Sequence, residues 1–466
     1  MSLVAGVDTS TQSVKIVVCD IETGKVVRTG RAAHPDGTEV SAESWWDAFC
    51  EAAADPELLD GVRALAVGGQ QHGMVTLDDR DELVRDALLW NDNRSAPDAL
   101  DLIEELGGTA AWARLVGSVP VASMTVTKLR WLARCEPENA ERTRSVVLPH
   151  DYLTWRIGNR SFAPATDRGD ASGTGYFDAA RDVYLDDVVE RALGHELTLP
   201  RVAGPSEVVG ETPNGIKLAP GTGDNMAGAL ALDCAPGEAI ISLGTSGTAY
   251  TRAAQQSHEP TGTVCGFADA TGQFLPLVCT MNCARNLEAT AGLLGVDLKE
   301  FSRLAIAAPA GAEGLIFMPY LEGERTPPLP EATGELLGMT RANMKPENLA
   351  RAAIESVLWS LAYGVDVLAE QTGDITSITL TGGAAQSIAV QRIAVSVLGR
   401  PITVTEPFES VAVGAARQAA WALSGDLPQW NVPVVKQIEP TAADLEAHQQ
   451  IAERYRSALK QHYTTQ

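Results

Sequence analysis

Cysteine pairs are missing from this 466-residue sequence: its seven cysteines, at 19, 50, 135, 234, 265, 279 and 283, are odd in number, scattered and never spaced C-x-x-C. That pattern excludes a disulfide framework and a zinc finger, and it fits a reducing cytoplasmic setting. Cys279 and Cys283 stand four apart with no accompanying histidine or second pair, which suits core packing. Basic residues are also short, 36 Lys and Arg against 60 Asp and Glu, for a formal net charge of −24. Nucleic acid and anionic membrane, both polyanions, are thereby excluded as main partners. A phosphate-bearing ligand must instead be met by backbone dipoles, a metal ion or a few local cations. No stretch approaches ~18 uninterrupted apolar residues, and MSLVAGVDTS lacks a basic region, so neither a transmembrane helix nor a signal peptide is expected.

What is present is an ordinary globular composition, 45% hydrophobic, in a chain too long for one core. Two domains with a cleft between them are the default expectation. Residues 220–250 concentrate the chemistry. Asp224 precedes a run of helix formers and can be read as a helix cap. Beyond it, residues 238–243 read as a buried strand that enters Gly244-Thr245-Ser246-Gly247-Thr248 and then a returning apolar run. Such a turn can aim N–H groups and hydroxyls at an anion, or it can be a plain hairpin. Asp224 as a catalytic base ahead of a phosphate turn is the functional reading.

The same plan stands at the beginning of the chain. Residues 3–7 form a strand pattern ending in Asp8-Thr9-Ser10-Thr11-Gln12-Ser13, and residues 14–19 resume a strand, with a third after Gly24. Two such units suggest two related lobes. Helical spacing over residues 43–54 places Trp46, Phe49 and Ala53 on one face. A buried strand at 65–69 leads to Gln70-Gln71-His72-Gly73, and residues 88–90 read as a strand ending in Asn91-Asp92-Asn93-Arg94. These two loops have the composition of a polyol-binding wall: amides, imidazole and carboxylate pair donors with acceptors, and Trp90 offers a flat face. Two polar surface loops are the plain alternative. Residues 167–173 form a further polar loop. In the second half, a long helix is expected over 349–371, strands over 375–380 and 401–404, and a close-packed helix over 411–423 around Gly414. Gly382-Gly383 stands at a strand-to-helix junction suited to a nucleotide. The tail, residues 441–463, is amphipathic through Leu445, Tyr455 and Leu459 and is expected to pack on its own domain.

These pieces, in this order from Asp8 to about Trp421, resemble the FGGY family of carbohydrate kinases. The matching segments are DTSTQS (8–13), QQHG (70–73), WNDNR (90–94), Lys128-Leu-Arg-Trp131, GTGDN (221–225), GTSG (244–247), PYLEGERTP (319–327), TGGAAQS (381–387) and VGAA (413–416). The resemblance implies an α/β fold of two ribonuclease-H-like lobes, of the actin and sugar-kinase superfamily, closing around an interdomain cleft. Residues 1–233 would form the N-terminal lobe, with sugar and the first phosphate turn, and residues 234–466 the nucleotide-binding C-terminal lobe. It further implies ATP and Mg2+, Asp224 as general base, and Asp8 near the metal. Thr9, Ser10, Thr11, Gln12, Gly244, Thr245 and Ser246 would surround phosphates, with Gly382, Gly383, Ala384 and Ser387 beside adenosine. Gln71, His72, Trp90, Asn91, Asp224 and Asn225 would hold the sugar.

Gly-Asp-Asn at the base favours the ketopentose branch, hence D-xylulose phosphorylated at O5. Ribulose, ribitol, gluconate, glycerol and a non-enzymatic sensor are the alternatives, and a homodimer is left open. Four positions depart from the family pattern. Ser10 replaces a glycine, Gln71 a methionine and Ala384 the third glycine of a triplet, while Cys135 breaks the first signature.

Overall fold

The structure, a computed structural model, describes residues 2–463. It divides into two compact units. The first gathers residues 2–233 with Ala253–Leu275 and Glu409–Val432; the second holds Cys234–Arg252, Pro276–Phe408 and residues 433–463. Two segments that follow Asp233 in sequence therefore belong with the N-terminal unit.

In the first unit, Leu3–Thr9, Ser13–Asp20 and Val26–Ala33 form an antiparallel meander, and Val62–Gly69 lies parallel to the first strand. The short strands Lys217–Leu218 and Thr222–Gly223 extend the same sheet in parallel to Val62–Gly69. The central strands are almost wholly apolar because both faces are covered. On one face Ala5, Val7, Ile16 and Val18 pack against Ala48, Phe49 and Ala52. On the other lies the Ser410–Ser424 helix, so close that a Cβ on Gly6 would stand 1.8 Å from the Ala412 carbonyl oxygen. Gly414 meets the Asp224–Ala231 helix in the same way, 1.8 Å from the Ala227 carbonyl oxygen. The expected need for small residues in this helix is borne out.

Two local readings change. The Glu43–Ala52 helix buries Trp45, Ala48, Phe49 and Ala52, one residue off the expected stripe; Trp46 instead takes the Arg156 guanidinium 5.0 Å over its ring. Only Ala87–Leu88 is a strand before Trp90.

The second unit repeats the plan. Glu238–Leu243, Gly247–Thr251 and Phe274–Thr280 are antiparallel, Ser377–Thr381 is parallel to the first of them, and Ile402–Thr405 follows in parallel. Where the first hairpin pairs Asp8 with Lys15 one step before its turn, the second pairs Ser242 with Thr248. The plan recurs without the acid. The core helix, Pro346–Thr372, begins on a proline suited to its first turn. It is long and apolar enough to cross a membrane, but 78% of its apolar window is buried inside the protein, which makes it a core element. The tail helix, Ala442–His462, starts with a Thr441–Asp444 capping box and stacks Tyr455 on Trp359 at 4.9 Å. Leu445, expected on its apolar face, is exposed.

Candidate active site

Asp224 begins a helix whose cap is Gly223, so it is the first helical residue and not the cap. Its Oδ1 accepts from the Asn225 backbone N–H at 2.8 Å and from Asn225 Nδ2 at 2.9 Å. Those bonds hold the carboxylate without making it a strong acid. Burial of the carboxyl, and next the negative charge of Asp8, push Asp224 up to about 7. Desolvation and two carboxylate neighbours, Asp8 and Asp170, outweigh the two hydrogen bonds that would lower it. A carboxylate poised near neutrality suits a general base.

Asp8 ends the first strand, nearly buried, and accepts from the Ser10 hydroxyl. Ser10, standing where a glycine was expected to let phosphate approach, is thus engaged with the acid. Lys15, directly across the hairpin, lies 3.4 Å from Asp8 and 2.7 Å from Glu409. Burial raises the affinity of Asp8 for a proton, against the pull of Lys15. Lys15 was missed in sequence; the signal was its register, since strand pairing puts it opposite the aspartate. Glu409 was not legible, being some 400 residues away. The Thr9 hydroxyl is buried without a partner, and Trp90 Nε1 donates to the Thr11 hydroxyl at 2.9 Å.

Of the residues expected on the sugar side, Asp224, Asn225 and Gln71 are joined by hydrogen bonds, whereas Trp90 bonds Thr11. Asn225 Nδ2 also donates to Gln71 Oε1 at 3.0 Å, which ties the base to the QQHG loop. His72 sits at φ +69°, a left-handed conformation that histidine tolerates at modest cost. Its Nδ1 is 2.8 Å from the Gly173 carbonyl and so donates, leaving Nε2 as acceptor in the neutral ring. Phe267, from the Ala253–Leu275 segment, packs against the imidazole with centroids 5.6 Å apart. Nothing local in the sequence marked Phe267 or Gly173. Gln70 keeps both ends of its amide buried and unpartnered, and Asn91 does the same with its oxygen. Asp92, read as part of the sugar wall, is instead used internally: it accepts from Thr38 at 2.7 Å and from Arg94 at 2.8 Å.

In the second unit a pocket of about 310 Å³ is lined by Gly244, Thr245, Gly383, Ala384 and Ser387 together with Leu287, Leu298, Phe301 and Ile354. Its apolar wall was not foreseen, since those side chains come from three separate helices. Gly383 faces open space, whereas Gly382, at φ +93°, lies against the backbone of Leu243 and serves the turn. Size, apolar walls and exposed backbone suit a planar heterocycle with a polar tail. Among the described residues no three His, Cys, Asp or Glu side chains gather into a metal cage. The Asp8 carboxylate fits a cation that arrives on a ligand's phosphates, for which one protein oxygen suffices.

A buried carboxylate near neutrality with amide and imidazole loops in the first unit, and a glycine-lined pocket in the second, suit a carbohydrate kinase. Family models agree: the N-terminal domain of the FGGY family of carbohydrate kinases matches residues 3–229 and the C-terminal domain residues 239–423. The chain belongs to this family, and it is a phosphotransferase. It is 44% identical over 459 residues to a xylulose kinase of Streptomyces rubiginosus, covering 94% of this chain and 93% of that one. It is 32% identical to the xylulose kinase of Escherichia coli, covering 98% of each. The crystal structure of xylulose kinase from Bifidobacterium adolescentis superposes with a TM-score of 0.89 at 45% identity, covering 96% of this chain and 99% of that one.

Proposed function

We propose that this protein phosphorylates D-xylulose at O5 with ATP, Asp224 taking the hydroxyl proton as the oxygen attacks the γ-phosphorus and ADP leaves. The observation that carries this reading is Asp224, shifted to about 7 and tied through Asn225 to the amide of Gln71. Its carboxylate can accept the proton while Asn225, Gln71 and His72 orient the polyol. Names of the relatives at 44–45% identity supply the ketopentose.

Phosphoryl transfer has a loose transition state, so the protein's part is placement and charge neutralisation. Lys15 is the cation at hand in the first unit, and the second unit's pocket takes the adenosine. Thr9, Ser10, Thr11 and Gln12, with Gly244, Thr245 and Ser246, supply hydroxyls and N–H groups for phosphates. Magnesium bound on the nucleotide beside Asp8 would neutralise charge on the transferring group. The odd number and scattered spacing of the cysteines suit the cytoplasm.

A panel of D-xylulose, L-ribulose, ribitol, gluconate and glycerol, read by ADP release, tests the assignment. ADP release that rises strongly with D-xylulose alone supports it. A preference for another polyol moves the substrate, and sugar-independent hydrolysis removes the kinase reading.

A further inference from the structure

Behind the base lies a buried ionic group that the mechanism has not used. Pro149–Ile157 is a helix whose second residue, His150, is fully buried. The imidazole occupies the seam where Val62–Gly69 pairs with Thr222–Gly223. A Cβ on Gly69 would come within 2.8 Å of His150 Cβ, and one on Gly221 within 2.6 Å of its Cδ2. Both glycines make room for this ring.

Each ring nitrogen faces carboxylate. Nδ1 stands 2.8 Å from Asp170 Oδ2; Nε2 stands 3.1 Å from Asp151 Oδ1 and 3.9 Å from Asp167 Oδ1. All three aspartates are nearly inaccessible, and among the described residues none makes an ion pair with lysine or arginine. Nδ1 is hydrogen-bonded to Asp170, while Nε2 makes no hydrogen bond but has carboxylate oxygens of Asp151 and Asp167 at 3.1 and 3.9 Å, a surrounding charge that favours the doubly protonated ring. Among the described residues, the other titratable groups facing these carboxylates are the Tyr176 and Tyr184 phenols, both held neutral by burial, and Asp224, which the charge of Asp170 pushes upward.

One hydrogen bond connects this ion to the segment that carries the base: the Thr222 hydroxyl, two residues before Asp224, donates to Asp167 Oδ2 at 2.6 Å. The Gly221 carbonyl is fixed independently by Gln418 Nε2 at 3.1 Å.

We propose that His150, as an imidazolium clamped by Asp151, Asp167 and Asp170, is a positioning residue that fixes residues 221–225 and so aims the base. This rests on the reading of Asp224 as the base. Consistent with it, although burial works against the charge, the surrounding aspartates push His150 up to about 9. Without the cation, three buried carboxylates would face one another, and the segment bonded through Thr222 to Asp167 would lose its anchor.

The test compares His150→Asn with His150→Lys, which removes and restores the charge. With D-xylulose and ATP, His150→Asn is expected to lower kcat about 10- to 100-fold, the scale of a misplaced reacting group, while KM for ATP changes less than about twofold. His150→Lys should recover most of that loss. Wild-type kcat in His150→Asn, or no recovery with lysine, overturns the proposal. Should neither variant fold, nitrogen NMR of histidine-labelled wild-type protein decides: at pH 8 one of the seven imidazoles should be doubly protonated. Seven neutral rings would overturn it. Asp224→Asn separates the two readings. Activity retained in that variant removes the base, while the imidazolium signal and the asparagine–lysine contrast are read independently.

Discussion

Asp224 illustrates how one residue trades stability for chemistry. Its folded-state pKa of about 7 lies above the usual carboxylate range, so between those values the native state binds the proton more tightly than the unfolded chain does. Stability from this group therefore falls as pH rises toward 7, and the full penalty persists above it. Asp224→Asn should raise the melting temperature by a few degrees at pH 8, by less at pH 5 and by nothing below about pH 4, measured by calorimetry, while abolishing phosphorylation. For activity the sign is opposite: ionised Asp224 is the working form, so kcat/KM should fall below about pH 7, with an apparent value shared with Asp8. Lys15→Met should leave Asp8 without its neighbouring cation and lower kcat/KM on the order of 100-fold or more, with the far-ultraviolet spectrum unchanged. Residues within one motif were readable at this scale: Asp224 and Asn225 bond each other, and Asn225 reaches Gln71. Glu409 and Phe267 were not, because only the fold brings them there.

Among elements, the Ser410–Ser424 helix does most to seat the base. Its Gly414 touches the Ala227 backbone, its buried Arg417 bonds the Leu230 carbonyl at 2.6 Å at the far end of the Asp224 helix, and Gln418 holds Gly221. Gly414→Ala should destabilise the first unit by about 1–3 kcal/mol and lower kcat more than KM for ATP, checked by urea unfolding alongside steady-state kinetics. In the second unit, Ala384→Gly removes a methyl from the pocket wall. It is expected to change KM for ATP by a few-fold while leaving KM for D-xylulose alone. Periodicity made the long elements legible, including Pro346–Thr372 and the tail helix, because apolar spacing is a local property. It misplaced the face of Glu43–Ala52 by one residue, since a tryptophan stacked under an arginine satisfies a helical stripe as well as a buried one does. Asp92 was misread for a related reason: composition shows that a carboxylate is present, not that Thr38 and Arg94 already occupy it.

For the whole molecule, the proposed function has sugar and nucleotide address different units, and linkage makes that measurable. D-xylulose at about 100 times its Kd should stabilise the first unit by about 2.7 kcal/mol, and ATP should do the same for the second, each as a shift of its own hydrogen-exchange pattern. Protection confined to the second unit on adding D-xylulose would contradict the assignment of the wall. The return of Glu409–Val432 to the first unit bears on the order in which the protein can be made. Multidomain chains commonly finish the N-terminal domain first during synthesis. Here the strand bearing Asp8 waits, with its Gly6 face uncovered, until more than 400 residues have been added. The nascent chain must carry that apolar surface through the synthesis of nearly the entire second unit, and a fragment ending at residue 233 should aggregate rather than fold.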